Sequence, residues 1–146
     1  MNFASASEPN IIGLDDQLIH LLRRAHQRAS AVFTSAVGEQ QLTPAQFFAM
    51  ARLSELGPLS QNRLGRLAAM DPATIQGVIR RLGQRGIIER SNDPGDKRRT
   101  VVRLTPQGEA ILEKVRSAAF NVNESLLKPL SQQEREQFLS LLKRLI

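Results

Sequence analysis

The chain has 146 residues, 41% hydrophobic and 23% charged, room for one compact domain or two lobes sharing a core. Twenty Lys and Arg against fourteen Asp and Glu give a formal charge of +6, which suits a polyanionic partner because neutralised phosphates release counterions. The absence of cysteine excludes thiol redox sensing, disulfides and thiolate metal sites. No apolar run approaches the roughly 18–20 residues that span a bilayer, so a cytoplasmic protein with no membrane partner is expected.

Residues 1–12, rich in Ser, Ala and Asn, read as a flexible arm. From Leu14 the series Leu14, Leu18, Leu21, Leu22, Ala25, Ala29, Val32, Phe33, Ala36 recurs at threes and fours, one stripe of a long helix ending near Gly38. Thr43-Pro44-Ala45-Gln46 then supplies an N-cap, a proline at the first helical position and a Gln at the third. That second helix carries Phe47, Phe48, Met50 and Leu53 and stops at Gly57-Pro58. Ser60 caps a short third helix with Leu64, Leu67 and Ala68 inward. Asp71-Pro72 repeats the cap-plus-proline signal, and Ile75, Val78, Ile79 and Leu82 make the buried stripe of a fourth helix closed by Gly86. An extended segment from Ile87-Ile88, a turn at Asn92-Asp93-Pro94-Gly95-Asp96 and a strand at Thr100–Leu104 form a hairpin. Thr105-Pro106 caps a fifth helix reaching toward Pro129. Ser131-Gln132-Gln133-Glu134 is a capping box for a sixth, with Phe138, Leu141, Leu142 and Leu145 on one side.

Two short capped helices, a tight turn and a hairpin are the order of a winged helix-turn-helix, so the expected fold is mainly α with a small β-hairpin wing. The second helix of such a pair fits a major groove, and the hairpin reaches the adjacent minor groove or backbone. Here the fourth helix is the expected reader, with Ala73, Thr74, Gln76, Gly77, Arg80 and Arg81 outward. Ala and Thr meet a thymine methyl, Gln pairs with adenine, and Arg takes guanine or phosphate. Ser60, Gln61 and Arg63 at the start of the third helix join the candidate DNA contacts. An amphipathic helix usually has a solvated basic face with no ligand; the cationic hairpin weighs against that here. Turn chemistry accounts for Asp93, Pro94 and Gly95, but not for Lys97, Arg98 and Arg99 at the tip. Cations held on a stiff hairpin lose little entropy on meeting a negative groove, and Asp93 or Asp96 is placed to brace one of the arginines.

Asp71-Pro72-Ala73-Thr74-Ile75, Leu82-Gly83-Gln84-Arg85-Gly86-Ile87-Ile88-Glu89-Arg90, Asp93-Pro94-Gly95-Asp96-Lys97-Arg98 and Leu104-Thr105-Pro106-Gln107-Gly108 resemble successive signatures of the MarR family of transcriptional regulators. The resemblance runs from Leu14 to the C-terminus. It implies a homodimer, with residues 13–41 and 106–146 forming a helical dimerisation lobe and residues 42–105 the DNA-binding module. It also implies a double-stranded DNA operator and a small aromatic acid that modulates affinity from a pocket lined by the first, second and fifth helices. Arg24, counted back from Leu42-Thr43-Pro44, stands where similar members take a carboxylate; His20 shares its face, and Phe47, Phe48 and Met50 are candidate pocket wall or core. Leu14 to Ala51 further resembles regulators of nicotinate or hydroxynicotinate breakdown, which points to a hydroxypyridine carboxylate such as 6-hydroxynicotinate. Gly77 departs from the family pattern, where many members carry a large polar or basic residue. It also weakens its helix by roughly 1 kcal/mol relative to Ala.

His20 and His26, about 240° apart on one helix, cannot chelate one metal from it, and no metal or cofactor is expected. With two His, no Cys and no phosphate loop or nucleophile motif, an enzyme is not expected. The reading is a dimeric repressor released from an inverted-repeat operator by an aromatic acid; a winged-helix module that binds protein is the alternative.

Overall fold

An oxygen-bearing cap followed by proline starts three of the helices, and each cap has the geometry its sequence implies. The computed structural model describes residues 13–146; the arm expected over residues 1–12 lies outside the described residues. Its helices are α1 (Leu18–Val37), α2 (Pro44–Leu56), α3 (Gln61–Leu67), α4 (Pro72–Gln84), α5 (Pro106–Leu127) and α6 (Gln132–Lys143). Between α4 and α5 lie strands β1 (Ile88–Asn92) and β2 (Thr100–Leu104). Thr43 and Gln46 close a reciprocal capping box on α2, and Ser131 and Glu134 close another on α6. Asp71 accepts from the Thr74 N–H at 2.8 Å and from the Thr74 hydroxyl at 2.7 Å, and those bonds hold its carboxyl below the usual range. Glu134 is lowered for the same kind of reason, the backbone N–H of Ser131. The charged form makes both caps, so they persist above the ordinary carboxylate pKa and are lost as pH falls through the depressed one.

The first helix does not run unbroken from Leu14. Leu14–Asp16 is a single 3₁₀ turn, and Gln17 is extended (φ −70°, ψ 130°) before α1 begins. Leu67, expected inward, is 37% exposed, because α3 is only seven residues long and Leu64 and Gly65 alone bury its inner side. Leu18, Leu21 and Leu22 of the α1 stripe and Phe138 and Leu141 of the α6 stripe are exposed within one chain, whereas the expected stripe of α4 is buried, with Ile75, Val78, Ile79 and Leu82 at most 2% exposed. Their core continues through Leu53, Leu64, Ile87 and Val102 to Phe33, Val37, Leu112 and Val115, where α1 packs along α5. Among the described residues no helix is long and apolar enough to cross a membrane.

The turn joining α3 to α4 carries Ala69 in the left-handed region (φ 53°), and the Met70 N–H closes back on the Gly65 carbonyl at 2.8 Å. The two helices approach so tightly that a Cβ on Gly65 would sit 3.1 Å from Ile75 Cγ2. Antiparallel β1 and β2 pair from Ile88↔Leu104 to Asn92↔Thr100. Leu59 adds a one-residue third strand, exchanging backbone bonds of 3.0 and 2.7 Å with Val102. The wing is thereby fastened to the segment entering α3.

Candidate DNA interface and ligand cavity

Burying one face of α4 leaves Ala73, Thr74, Gln76, Arg80 and Arg81 exposed and Gly77 half-buried, as the periodicity predicts. Thr74 spends its hydroxyl proton on Asp71, so it offers DNA a methyl group and an acceptor oxygen. No ion pair engages Arg80 or Arg81 among the described residues. A notch of about 360 Å³ lies between α4 and the wing, bordered by Ala73, Gln76, Gly77, Arg80 and, from β1, Arg90. Arg90 donates to Gln61 Oε1 at 3.1 Å, which gives Gln61 a bracing role beside its expected DNA contact. Ser60 caps α3 by accepting from the Arg63 N–H at 3.3 Å, and Ser60, Arg63 and Arg99 border a second hollow beneath the wing.

At the wing the two aspartates divide their work. Asp93 makes the turn, its Oδ1 accepting from the Gly95 N–H at 2.9 Å. Asp96 accepts from the Arg98 N–H at 3.0 Å and lies 3.5 Å from Arg99 Nε, so it is the aspartate that braces an arginine. Arg103 is engaged by Glu89, its partner across the hairpin, at 2.6 Å. Lys97 and Arg98 are exposed and have no side-chain partner among the described residues. Free cations thus concentrate at the tip, where a groove would receive them.

A cavity of about 500 Å³ opens between α1, α2 and α5. His26, Ala29, Ser30 and Phe33 form its α1 wall, Pro44, Phe47 and Phe48 its α2 wall, and Arg116, Phe120 and Asn123 are among the residues of its α5 wall. Phe47 stacks at a tilt between Phe33 and Phe48, with ring centroids 5.4 and 5.5 Å away. Phe48 and Phe120 are 56% and 66% exposed, so the aromatic wall is open on one side. Of the expected ligand residues, Phe47 and Phe48 are in this wall and three others are not. Met50 has no exposure at all and is core. Arg24 and His20 lie outside the cavity because the wall repeats at His26, Ala29, Ser30 and Phe33, and residues two and six before His26 point about 160° and 120° away from it around the helix.

Two arginines that the sequence did not single out for these roles become visible. Arg116 is the cation of the cavity wall. Its Nε lies 3.2 Å from Glu113, and its Nη2 donates to Ser54 Oγ at 3.3 Å, which leaves Nη1 without a partner among the described residues. Arg85, at the C-cap of α4, reaches the carbonyls of Gln40 and Gln41 at 2.7 and 3.2 Å. It ties the end of the expected reader helix to the segment that leads into the α2 wall.

The model of the MarR family matches residues 42–100, the span from the entry of α2 to the start of β2. Over 131 residues, 90% of this chain and 83% of the relative, the sequence is 39% identical to the HTH-type transcriptional repressor NicR of Pseudomonas putida. The chain belongs to the MarR family. Its fold is the winged helix of that family's transcriptional repressors, and the helix pair and hairpin described above are the DNA-binding part of it. Among solved structures, this MarR-family chain superimposes on a probable transcriptional regulator from Pseudomonas aeruginosa with a TM-score of 0.87 and 52% identity, covering 92% of this chain and all of that one. BpsR of Bordetella bronchiseptica, whose DNA binding is regulated by 6-hydroxynicotinic acid, matches with a TM-score of 0.86 and 36% identity over 94% of this chain and 97% of its own.

Proposed function

We propose that this chain is a homodimeric repressor of an inverted-repeat operator, and that a small aromatic carboxylate seated in the α1–α2–α5 cavity releases it. The observation that carries the DNA reading is the outward face of α4, with Arg80 and Arg81 unpaired among the described residues while the opposite face is wholly core. The dimer reading rests on apolar surface that has no cover within one chain. No residue of α6 is buried although it is amphipathic, and Leu18, Ile19, Leu21 and Leu22 of α1 are all exposed. A second copy would cover these faces, forming the helical lobe from residues 13–41 and 106–146 and presenting two reader helices about one turn of DNA apart.

The test is selection from a pool of randomised duplexes followed by fluorescence anisotropy on the enriched sequence. A site with two-fold symmetry, bound as a dimer and increasingly weakly as salt rises, is the expected result; a pool with no enrichment would overturn the reading. Within this reading, Lys97→Ala with Arg98→Ala should weaken binding to operator and to unrelated duplex alike. The salt dependence should flatten too, by about one released counterion for each phosphate that is no longer neutralised. An unchanged slope of affinity against salt would remove the wing from the interface.

The effector reading is supported by the cavity's aromatic wall with Arg116 at its edge, and by the 6-hydroxynicotinic acid that regulates BpsR. A guanidinium exchanges the water of a carboxylate for two parallel charge-assisted bonds, which an ammonium cannot reproduce. Arg116→Ala is therefore expected to weaken 6-hydroxynicotinate binding by roughly a hundredfold and Arg116→Lys by less, the loss of a charge-assisted pair of bonds. Arg24→Ala should bind as wild type does. By linkage, operator DNA must weaken the ligand by the same factor as the ligand weakens DNA. Calorimetric titration with and without operator measures both; wild-type affinity in Arg116→Ala would sink the assignment.

A further inference from the structure

Gly77 sits in the middle of α4, where glycine weakens a helix relative to alanine. Its backbone gives no reason for it, since Gly77 is not among the residues with positive φ. Space gives one. The three atoms nearest a Cβ at Gly77, outside the helix's own nearby backbone, all belong to the guanidinium of Arg81, with Nη1 at 3.3, Nη2 at 3.5 and Cζ at 3.7 Å. Both nitrogens are nearer than Cζ, so the Nη1–Nη2 edge of the guanidinium is turned toward the space of the missing side chain. Arg81 thus folds back one turn toward the N-terminus, to the stretch of α4 that presents Ala73, Gln76 and Arg80. Gly83, exposed in the same helix, has nothing within 4 Å of its own Cβ position. The seat therefore belongs to Gly77.

We infer that Gly77 is a positioning residue for base reading: by omitting its side chain it leaves room for the Arg81 guanidinium at mid-helix, from which it engages a guanine. The inference rests on the DNA reading proposed above. An arginine on an exposed helix face samples many rotamers, and fixing its fork in advance reduces the entropy lost when it engages O6 and N7. No ion pair holds Arg81 among the described residues, so the seat is the restraint. A larger residue at 77 would fill that space and the adjoining notch, pushing the guanidinium outward toward phosphate.

The experiment compares wild type, Gly77→Ala, Gly77→Gln, Arg81→Ala and the Gly77→Gln/Arg81→Ala double variant. Each is titrated by anisotropy against every single base-pair variant of the site enriched from randomised duplexes. Wild type should discriminate one G·C pair in each half-site by about tenfold. Arg81→Ala and Gly77→Gln should each abolish that discrimination, and the double variant should lose no more than either alone. Gly77→Ala, with a Cβ at 3.3 Å that a flexible side chain can yield to, should retain part of it. Its Tm should rise, the direction opposite to its loss of reading, so damaged folding cannot explain the result. Undiminished discrimination by Gly77→Gln, additive losses in the double variant, or uniform weakening on all sequences by Arg81→Ala would each overturn the inference. If wild type itself enriches no sequence, it is the DNA reading that fails, and the two failures are told apart.

Discussion

Gly108→Ala is expected to lower the unfolding free energy by about 3 kcal/mol, the sum of overpacking and a weakened helix cap. Gly108 is buried in the joint where the wing hands over to α5. An added Cβ would fall inside the contact radius of the Ile87 carbonyl oxygen and lie 3.0 Å from Leu104 Cδ2. That carbonyl cannot step aside, because it accepts from the Thr105 N–H at 3.0 Å and lies 3.1 Å from the Thr105 hydroxyl, which also donates to the Gly86 carbonyl at 2.6 Å. Thr105 in turn caps α5 by accepting from the Gly108 N–H at 3.0 Å. Ala must therefore lift the first turn of α5 off Ile87 and strain this set of bonds together. Against a typical total of about 5–15 kcal/mol the loss is large. Urea denaturation followed by circular dichroism measures it. Gly83→Ala supplies the opposite sign, since that position is helical and open, and should gain up to about 1 kcal/mol. A Gly108→Ala protein within about 1 kcal/mol of wild type, on the precision such extrapolations allow, would show that the joint yields freely.

The same joint shows why much of the fold is legible in the sequence. Thr43-Pro44, Asp71-Pro72 and Thr105-Pro106 each carry their chemistry within four residues, an oxygen for a free N–H and a proline where no N–H is needed. The outward face of α4 follows from spacing alone because one of its faces is apolar and the other is not. α2 is different. Phe47, Phe48, Met50 and Leu53 are spread around it, so periodicity cannot say that Met50 is core and Phe48 a cavity wall. The cavity's cation was equally out of reach, since placing Arg116 opposite His26 requires the register of α5 on α1, which no local pattern encodes. The Leu59 to Val102 pairing is of that kind too: one residue, joined to a strand far along the chain. The break at Gln17 was hidden because the apolar spacing from Leu14 to Leu18 continues across it, with no Gly or Pro between.

Leu141→Asp with Leu145→Asp is expected to cost operator affinity a factor of about 10²–10⁴, the advantage that joining two binding modules confers. In one chain Leu141 and Leu145 are 48% and 64% exposed; Leu141 lies with Phe138 on the apolar side of α6, no residue of which is buried, and Leu145 follows in the turn just past the helix's end. If a second copy covers that side, each leucine contributes about 1.5–3 kcal/mol to association, and symmetry counts every substitution twice. Burying four carboxylates in their place is prohibitive, so the variant should sediment as a monomer. The winged module keeps its own core of Leu53, Leu64, Ile79, Leu82 and Val102, so contact with a single half-site should survive, weak and without two-fold cooperativity. Ser140→Asp is the control: it adds one such carboxylate per chain about 150° around α6 from the middle of the apolar side and should leave both dimer and operator affinity intact. Sedimentation equilibrium and anisotropy on whole and half operators separate the outcomes. A double variant that remains dimeric and binds the whole operator as wild type does would mean that α6 faces solvent in the working molecule, and that the two readers are joined, if at all, through α1 and α5.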